Sequence, residues 1–150
     1  MLSRFERFSV SISELSRYLH KISADEMEKY GLKGPYAIYL LTMHRYSEGI
    51  TATELSERCD RNKADVSRAV TAMEEKGLVY RKGASYRARL ILTPEGEKAA
   101  HHVGERARLA VEMGGKGLTD REREIFYTAM ETIADNLRAM SKDGMPEYTK

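Results

Sequence analysis

Two closely spaced helix N-caps, followed by two short strands, constrain the fold of this chain more than any other feature. Thr51 and Glu54 have the T-x-x-E spacing of a capping box, in which hydroxyl and carboxylate each satisfy a free backbone amide. Asn62 is placed to cap a second helix, predicted over about 63–76, and Gly77 is the expected left-handed residue at its end. The segment therefore predicts two short helices joined by a tight turn.

The second of these helices has one apolar face. Its members recur at helical spacing and are predicted to point inward: Val66, Ala69, Val70 and Met73. After the helix, 78–82 and 87–92 predict two strands around a tip at 83–86. Helix, turn, helix and hairpin in this order are typical of a winged helix-turn-helix, whose second helix fits the major groove of DNA.

Positive charge is concentrated in the same segment. Residues 61–89 hold eight Lys or Arg and three Asp or Glu, a net charge of +5, whereas the whole chain carries +2. A polyanion is therefore expected to bind here. The predicted DNA contacts are Arg61, Asn62, Lys63, Ala64, Asp65, Ser67, Arg68, Arg81, Lys82, Arg87 and Arg89.

Simpler interpretations stand beside this one. The basic residues of an isolated helix usually form only its solvated face, and Arg81 and Lys82 would also keep a strand edge soluble. Asp65 either accepts from a cytosine amino group or takes part in capping with Asn62. Alternation places Arg87 and Arg89 on one side of a strand, which indicates a shared electrostatic role.

Helical arms are predicted on both sides of the winged helix. Gly34-Pro35 begins a helix with Ile38, Tyr39 and Leu41 on its buried side, whereas Thr93-Pro94 begins the C-terminal arm. Thr119 and Glu122 form a further capping box within that arm. The apolar face of its last helix is predicted to pack against the N-terminal arm, either within the chain or from a second copy, and a twofold dimer is the expected arrangement. The residues expected at this dimer contact are Ile12, Leu15, Leu19, Phe126, Met130, Ile133, Leu137 and Met140.

A single domain over 1–150 follows from the length of the chain. The winged helix occupies about 34–93, and dimerisation helices occupy about 4–30 and 94–141. The predicted class is mainly α with a small β-hairpin: a winged helix-turn-helix flanked by N- and C-terminal dimerisation helices. In a twofold dimer, two recognition helices held about 34 to 36 Å apart would enter successive major grooves. The operator is therefore expected to be an inverted repeat.

Four segments of the chain, 54–58, 62–68, 73–79 and 90–96, resemble the MarR family of bacterial winged-helix regulators. The resemblance implies a recognition helix from Lys63, a wing over 81–89, and a homodimeric, ligand-responsive repressor. At the wing tip the chain lacks the family's usual Asp-x-Arg element, which leaves Arg87 for the minor-groove role.

The same resemblance implies a small aromatic or phenolic effector, bound between the arms and the winged helix. The candidate residues for that site are Tyr18, His20, Tyr36, Tyr39, His44 and Tyr46. Tyrosines at helical spacing also occur simply at the edge of a core.

Other classes of function have little support in the sequence. The lone Cys59 is either a thiol sensor or a small residue filling a turn, and adjacent His101 and His102 point about 100° apart on a helix. Residues 114–117 lack the Ser/Thr and the preceding strand of a phosphate loop. No enzyme activity, cofactor or metal is predicted. Without a long apolar run near the N-terminus, the chain is expected in the cytoplasm and away from membranes.

Two alternative functions stay open at this point. A winged helix also serves as a protein-interaction module, whose basic face docks an acidic partner without specific DNA binding. A small-molecule carrier that has lost DNA binding would take up ligand without shifting DNA. Selective retention of a DNA duplex distinguishes both from a regulator.

Overall fold

A computed structural model describes residues 3–84 and 87–147 and confirms a mainly helical fold with one small antiparallel sheet. Contacts divide the chain into two compact units, between Leu109 and Ala110. The elements in chain order are α1 (Arg4–Glu28), a 3-10 turn (Gly34–Tyr36), α2 (Ala37–Arg45), β1 (Ile50–Thr51), α3 (Ala52–Cys59), α4 (Lys63–Glu75), β2 (Val79–Lys82), β3 (Arg89–Leu92), α5 (Pro94–Gly114) and α6 (Asp120–Asp143).

The predicted caps are present and fix the two central helices. Thr51 Oγ1 accepts from the Glu54 amide at 3.1 Å, and the Glu54 carboxylate accepts from the Thr51 amide at 2.9 Å. This last bond, a charged acceptor on a backbone donor, lowers the pKa of Glu54. Asn62 Oδ1 accepts from the Asp65 amide at 2.8 Å, and Gly77 has φ +71°. The start and end of α4 are therefore as predicted.

The sheet has one strand more than the predicted hairpin. Its order is β1-β3-β2, with Ile50 opposite Leu90 and Val79 opposite Leu92. β1 is only two residues long, too short to show the alternation by which strands are recognised in a sequence. β3 begins at Arg89, so the prediction of a strand from residue 87 was wrong, and the predicted tip residues Ser85 and Tyr86 lie outside the described residues.

The core lies between α2, α3, α4 and the sheet, and the end of α1 and the first half of α5 also contribute buried residues to it. All four predicted inward residues of α4 have no exposed surface. On α2, Tyr39 is buried as predicted and Leu41 is half-buried, but Ile38 is 44% exposed and its predicted burial was wrong. Tyr39, Leu40 and Met43 occupy the inward face, and Ile38, about 100° around the helix from Tyr39, therefore turns outward.

A close contact joins the start of α5 to the end of α4. Thr93 Oγ1 donates to the Gly77 carbonyl at 2.6 Å and accepts from the Gly96 amide at 3.0 Å. The Thr93 amide donates to the Leu78 carbonyl at 2.9 Å. Thr93 thus caps α5, as predicted, and also ties it to the turn that leads into β2.

The outer helices keep much apolar surface exposed. On α1 an apolar stripe, in which each residue is at least 41% exposed, comprises Phe5, Phe8, Ile12, Leu15, Leu19 and Ile22. On α6, in the second unit, Phe126, Ile133 and Leu137 are exposed and Met130 and Met140 are half-buried. Across the described part of the chain, no helix is both long enough and apolar enough to cross a membrane.

Candidate nucleic-acid interface

The N-terminal half of α4 presents a polar face to solvent. Lys63, Ala64, Ser67 and Arg68 are exposed, and Asp65 is half-buried. The turn before the helix, with Arg61 and Asn62, is also exposed, and Ser56 Oγ donates to the Arg61 carbonyl at 2.6 Å, which fixes that turn. The structure therefore brings the seven predicted contacts of this segment onto one helix end.

Asp65 takes part in the Asn62 cap, one of its two predicted roles, and also in an ion pair that was not predicted. Its amide donates to the Asn62 cap, and its carboxylate forms an ion pair with Arg68, one turn further along α4. Both side chains of the pair remain substantially exposed, at 44% and 63%. Arg68 is thus held at the surface beside an acid, where a ligand or a DNA base can compete for its guanidinium.

The cationic residues of the hairpin differ in their surroundings. Arg81 Nε donates to Glu74 Oε1 at 2.8 Å, which connects β2 to the last turn of α4, whereas Lys82 at the end of β2 is exposed. Arg89 Nη1 donates to the Gly49 carbonyl at 3.1 Å. Arg87 is exposed but precedes β3, so the prediction that alternation along one strand relates it to Arg89 was wrong.

A cleft of about 380 Å³ opens beside the exposed face of α4. Of the six predicted effector residues, the structure brings His20, Tyr36 and Tyr39 to this cleft. The rings of Tyr36 and Tyr39 lie 6.2 Å apart, and burial raises the pKa of Tyr39. The other residues that line the cleft are Lys33, Pro35, Arg61, Asp65 and Arg68. The cleft therefore shares three residues with the predicted DNA-contacting face.

The remaining predicted effector residues lie elsewhere in the first unit. Tyr18 is exposed on α1 with the Arg17 guanidinium 4.9 Å from its ring centroid. Tyr46 lies under Arg58 at 4.8 Å, and His44 Nδ1 is 2.6 Å from a carboxylate oxygen of Glu97 on α5. Each is engaged with a neighbouring charged side chain, and the structure does not bring them to the cleft.

Comparison with known proteins identifies the central segment. Residues 30–89 match the sequence profile of the MarR family. This central segment is therefore similar to the MarR family. No curated protein matched the chain.

Solved structures of MarR proteins share this fold over nearly the whole chain. A MarR transcriptional regulator from Methanosarcina mazei Go1 is 24% identical, with a TM-score of 0.81 over 93% of this chain and 94% of that one. A putative MarR family regulator from Listeria monocytogenes, complexed with 26mer DNA, is 21% identical, with a TM-score of 0.80 over 99% and 100%. Staphylococcus aureus MepR in a DNA complex is 17% identical, with a TM-score of 0.80 over 90% and 99%.

Two residues near the exposed face of α4 that could not be predicted from the sequence are Glu74 and Lys33. Glu74 meets Arg81 only because the chain reverses at Gly77, so the pairing depends on the hairpin's path rather than on helical spacing. Lys33 precedes the 3-10 turn in an irregular segment, and only tertiary packing brings it to the cleft. The two strands predicted after Gly77 were the one sequence feature that could have indicated a contact between Glu74 and the hairpin.

Within residues 3–84 and 87–147, no group of three or more His, Cys, Asp or Glu side chains is placed to hold a metal ion. Cys59 is half-buried, packs against the core and lies 3.4 Å from Thr42 Oγ1. Of its two interpretations, that contact favours a small residue filling the end of α3.

Proposed function

We propose that this protein is a sequence-specific transcriptional regulator that binds double-stranded DNA as a homodimer and acts in the cytoplasm. The observation that carries the proposal is the exposed polar face of α4, which starts at a capped N-terminus and lies beside a basic hairpin. The N-terminal residues of a recognition helix are those that contact base edges. The DNA complexes of two proteins with the same fold support this assignment.

The homodimer is proposed because of the apolar stripe on α1. Its six side chains would stay in water in a single copy, and the burial of apolar surface is the dominant favourable contribution to most protein–protein association. A second copy of the chain supplies an equivalent stripe, as twofold symmetry requires. Ile12, Leu15 and Leu19 are the proposed contacts on α1, with the five α6 residues as a second set.

A repressor controlled by a small aromatic or phenolic effector is the proposed mode of regulation. The cleft beside α4 is lined by two tyrosines and by cationic groups, which suit an aromatic ring that bears an acidic oxygen. Because Asp65 and Arg68 line this cleft and also lie on the proposed DNA-contacting face, a ligand there would disturb DNA contacts directly. Binding of the effector in the cleft would therefore change the affinity of the protein for its operator.

The proposal is tested by measuring affinity for the DNA upstream of the protein's own gene and for a scrambled duplex, both at moderate salt. A regulator is expected to bind its operator about 10³-fold more tightly than unrelated DNA. Equal affinity for the two duplexes would contradict sequence-specific binding and would favour a protein-interaction module that docks an acidic partner.

Arg68→Ala is expected to weaken operator binding by about 1 to 3 kcal/mol and to relax the preference for one base pair. The physical reason is that a guanidinium forms two hydrogen bonds with guanine that the other bases do not offer. Arg121→Ala, which removes the same charge from the exposed first turn of α6, is the matched control and should bind normally. An equal loss on every DNA sequence would make Arg68 a phosphate contact instead.

A further inference from the structure

We propose that Glu74 is a positioning residue for DNA binding, which holds Arg81 of the wing in the orientation that contacts a phosphate. The inference rests on the proposed function and extends it to an acidic side chain on a face that binds a polyanion. Glu74 itself would touch no DNA in this arrangement. It would act only through the arginine to which it is hydrogen-bonded.

The bond between Glu74 and Arg81 connects α4, the proposed recognition helix, to the wing. Glu74 lies in the last turn of α4 and Arg81 lies in β2, with the left-handed Gly77 between them. The turn is fixed by the Leu78 amide, which donates to the Met73 carbonyl at 2.9 Å. With the turn held by this bond, the 2.8 Å bond from Arg81 Nε to Glu74 Oε1 sets the direction of the arginine side chain.

The atom that Arg81 uses for this bond is informative. A guanidinium has five N–H donors, and Nε supplies only one of them. Bonding through Nε therefore leaves both terminal Nη groups, which the structure gives no partner within the described ranges, to bind a phosphate in a bidentate manner. The side chains of Glu74 and Arg81 are 34% and 41% exposed, so this pair stands at the surface.

A simple charge effect and a positioning role predict changes of opposite sign in DNA affinity when the Glu74 carboxylate is removed. By charge alone, deleting a carboxylate from a face that binds DNA should strengthen binding. If Glu74 positions Arg81, its deletion should weaken binding, because the arginine loses its fixed direction. Glu75 is the matched control, because it is the adjacent residue of α4, is exposed, and makes no ion pair in residues 3–84 and 87–147.

The test compares operator binding by the full-length wild type, Glu74→Ala, Glu74→Gln, Glu75→Ala, Arg81→Ala and the Glu74→Ala/Arg81→Ala double variant. Glu74→Ala is expected to bind about 3- to 10-fold more weakly, whereas Glu75→Ala binds equally well or more tightly. Glu74→Gln should fall between Glu74→Ala and the wild type, because the amide oxygen still accepts from Nε. With Arg81 already replaced, Glu74→Ala should cause no further loss.

The dependence of affinity on salt separates positioning from a general loss of stability. Arg81→Ala should reduce the salt slope by about one phosphate contact, and Glu74→Ala should reduce it in the same direction. A merely less stable protein would keep the wild-type slope. Unfolding curves for each variant establish that the protein is folded under the conditions of the assay.

Two different results would overturn the proposal. If the wild type binds its operator selectively and Glu74→Ala binds as tightly as Glu75→Ala or more so, the ion pair masks Arg81 and the positioning role is wrong. If the wild type shows no selectivity for its operator, the proposed function fails, and the role of Glu74 fails with it. The wild-type measurement therefore distinguishes the two failures.

Discussion

Replacing Gly96 by alanine is expected to destabilise the winged helix by about 3 kcal/mol. A Cβ at this position would lie 1.9 Å from the Leu78 carbonyl oxygen and 2.9 Å from its carbon. The oxygen cannot easily move, because it accepts from the Thr93 amide at the same junction. Either α5 moves away from the turn after α4 or this hydrogen bond breaks, and denaturant unfolding at fixed protein concentration would measure the loss.

Gly104 provides the matched control, because it lies in the same helix. A Cβ on Gly104 would meet only Leu41 Cδ2, at an ordinary contact distance of 3.5 Å. Alanine favours a helix interior over glycine by about 0.5 to 1 kcal/mol, so Gly104→Ala should be neutral or slightly stabilising. Equal unfolding midpoints for the Gly96→Ala and Gly104→Ala proteins would show that the contact with Leu78 is not tight in solution.

The parts of this fold that could be predicted from the sequence depend on partners close together along the chain. The capping boxes at Thr51 and Thr119 join residues three positions apart, and their spacing is visible in the letters alone. The left-handed Gly77 and the inward face of α4 are equally local. The exposed face of α4 could be predicted from its apolar face, because it consists of the residues that do not point into the core.

Features that depend on distant partners were missed or only partly predicted. The burial of α2 depends on which turn precedes it and what it packs against, and periodicity over nine residues did not exclude Ile38 from the core. The cleft combines α1, the 3-10 turn, α2 and α4, and only His20, Tyr36 and Tyr39 of the six tyrosine and histidine candidates reach it. Composition and spacing contain no information about which residues of these four elements pack together.

The buried carboxylate of Glu26 is the clearest example of a long-range interaction without a local signal. It lies near the end of α1, and its partners on α5, His102 and Arg106, are 76 and 80 positions away. Arg106 Nε donates at 2.9 Å, and Lys29, from the residues just after α1, donates at 2.7 Å. The cluster fastens α1 to α5 within the first unit, and therefore fixes the base of the proposed dimerisation arm.

Glu26 is expected to make stability depend on pH in the acid range. Hydrogen bonds from Lys29 and Arg106 outweigh the effect of burial and lower the pKa of Glu26 from 4.5 to about 2. A carboxylate whose folded pKa is depressed stabilises the fold above its unfolded pKa and loses that contribution as pH falls through the folded value. Since the side chain is only 11% exposed, the shift corresponds to about 3 kcal/mol, lost between about pH 4.5 and pH 2.

Glu26→Gln should remove this contribution. At pH 7 the variant is expected to unfold about 3 kcal/mol more easily than the wild type, and the two proteins should converge in stability near pH 2, where the wild-type carboxylate becomes protonated. Glu28→Gln, an exposed neighbour on α1, is the control and should retain the wild-type pH profile. Parallel stability curves for Glu26→Gln and wild type from pH 7 to pH 2 would show that Lys29 and Arg106 do not stabilise the ionised form.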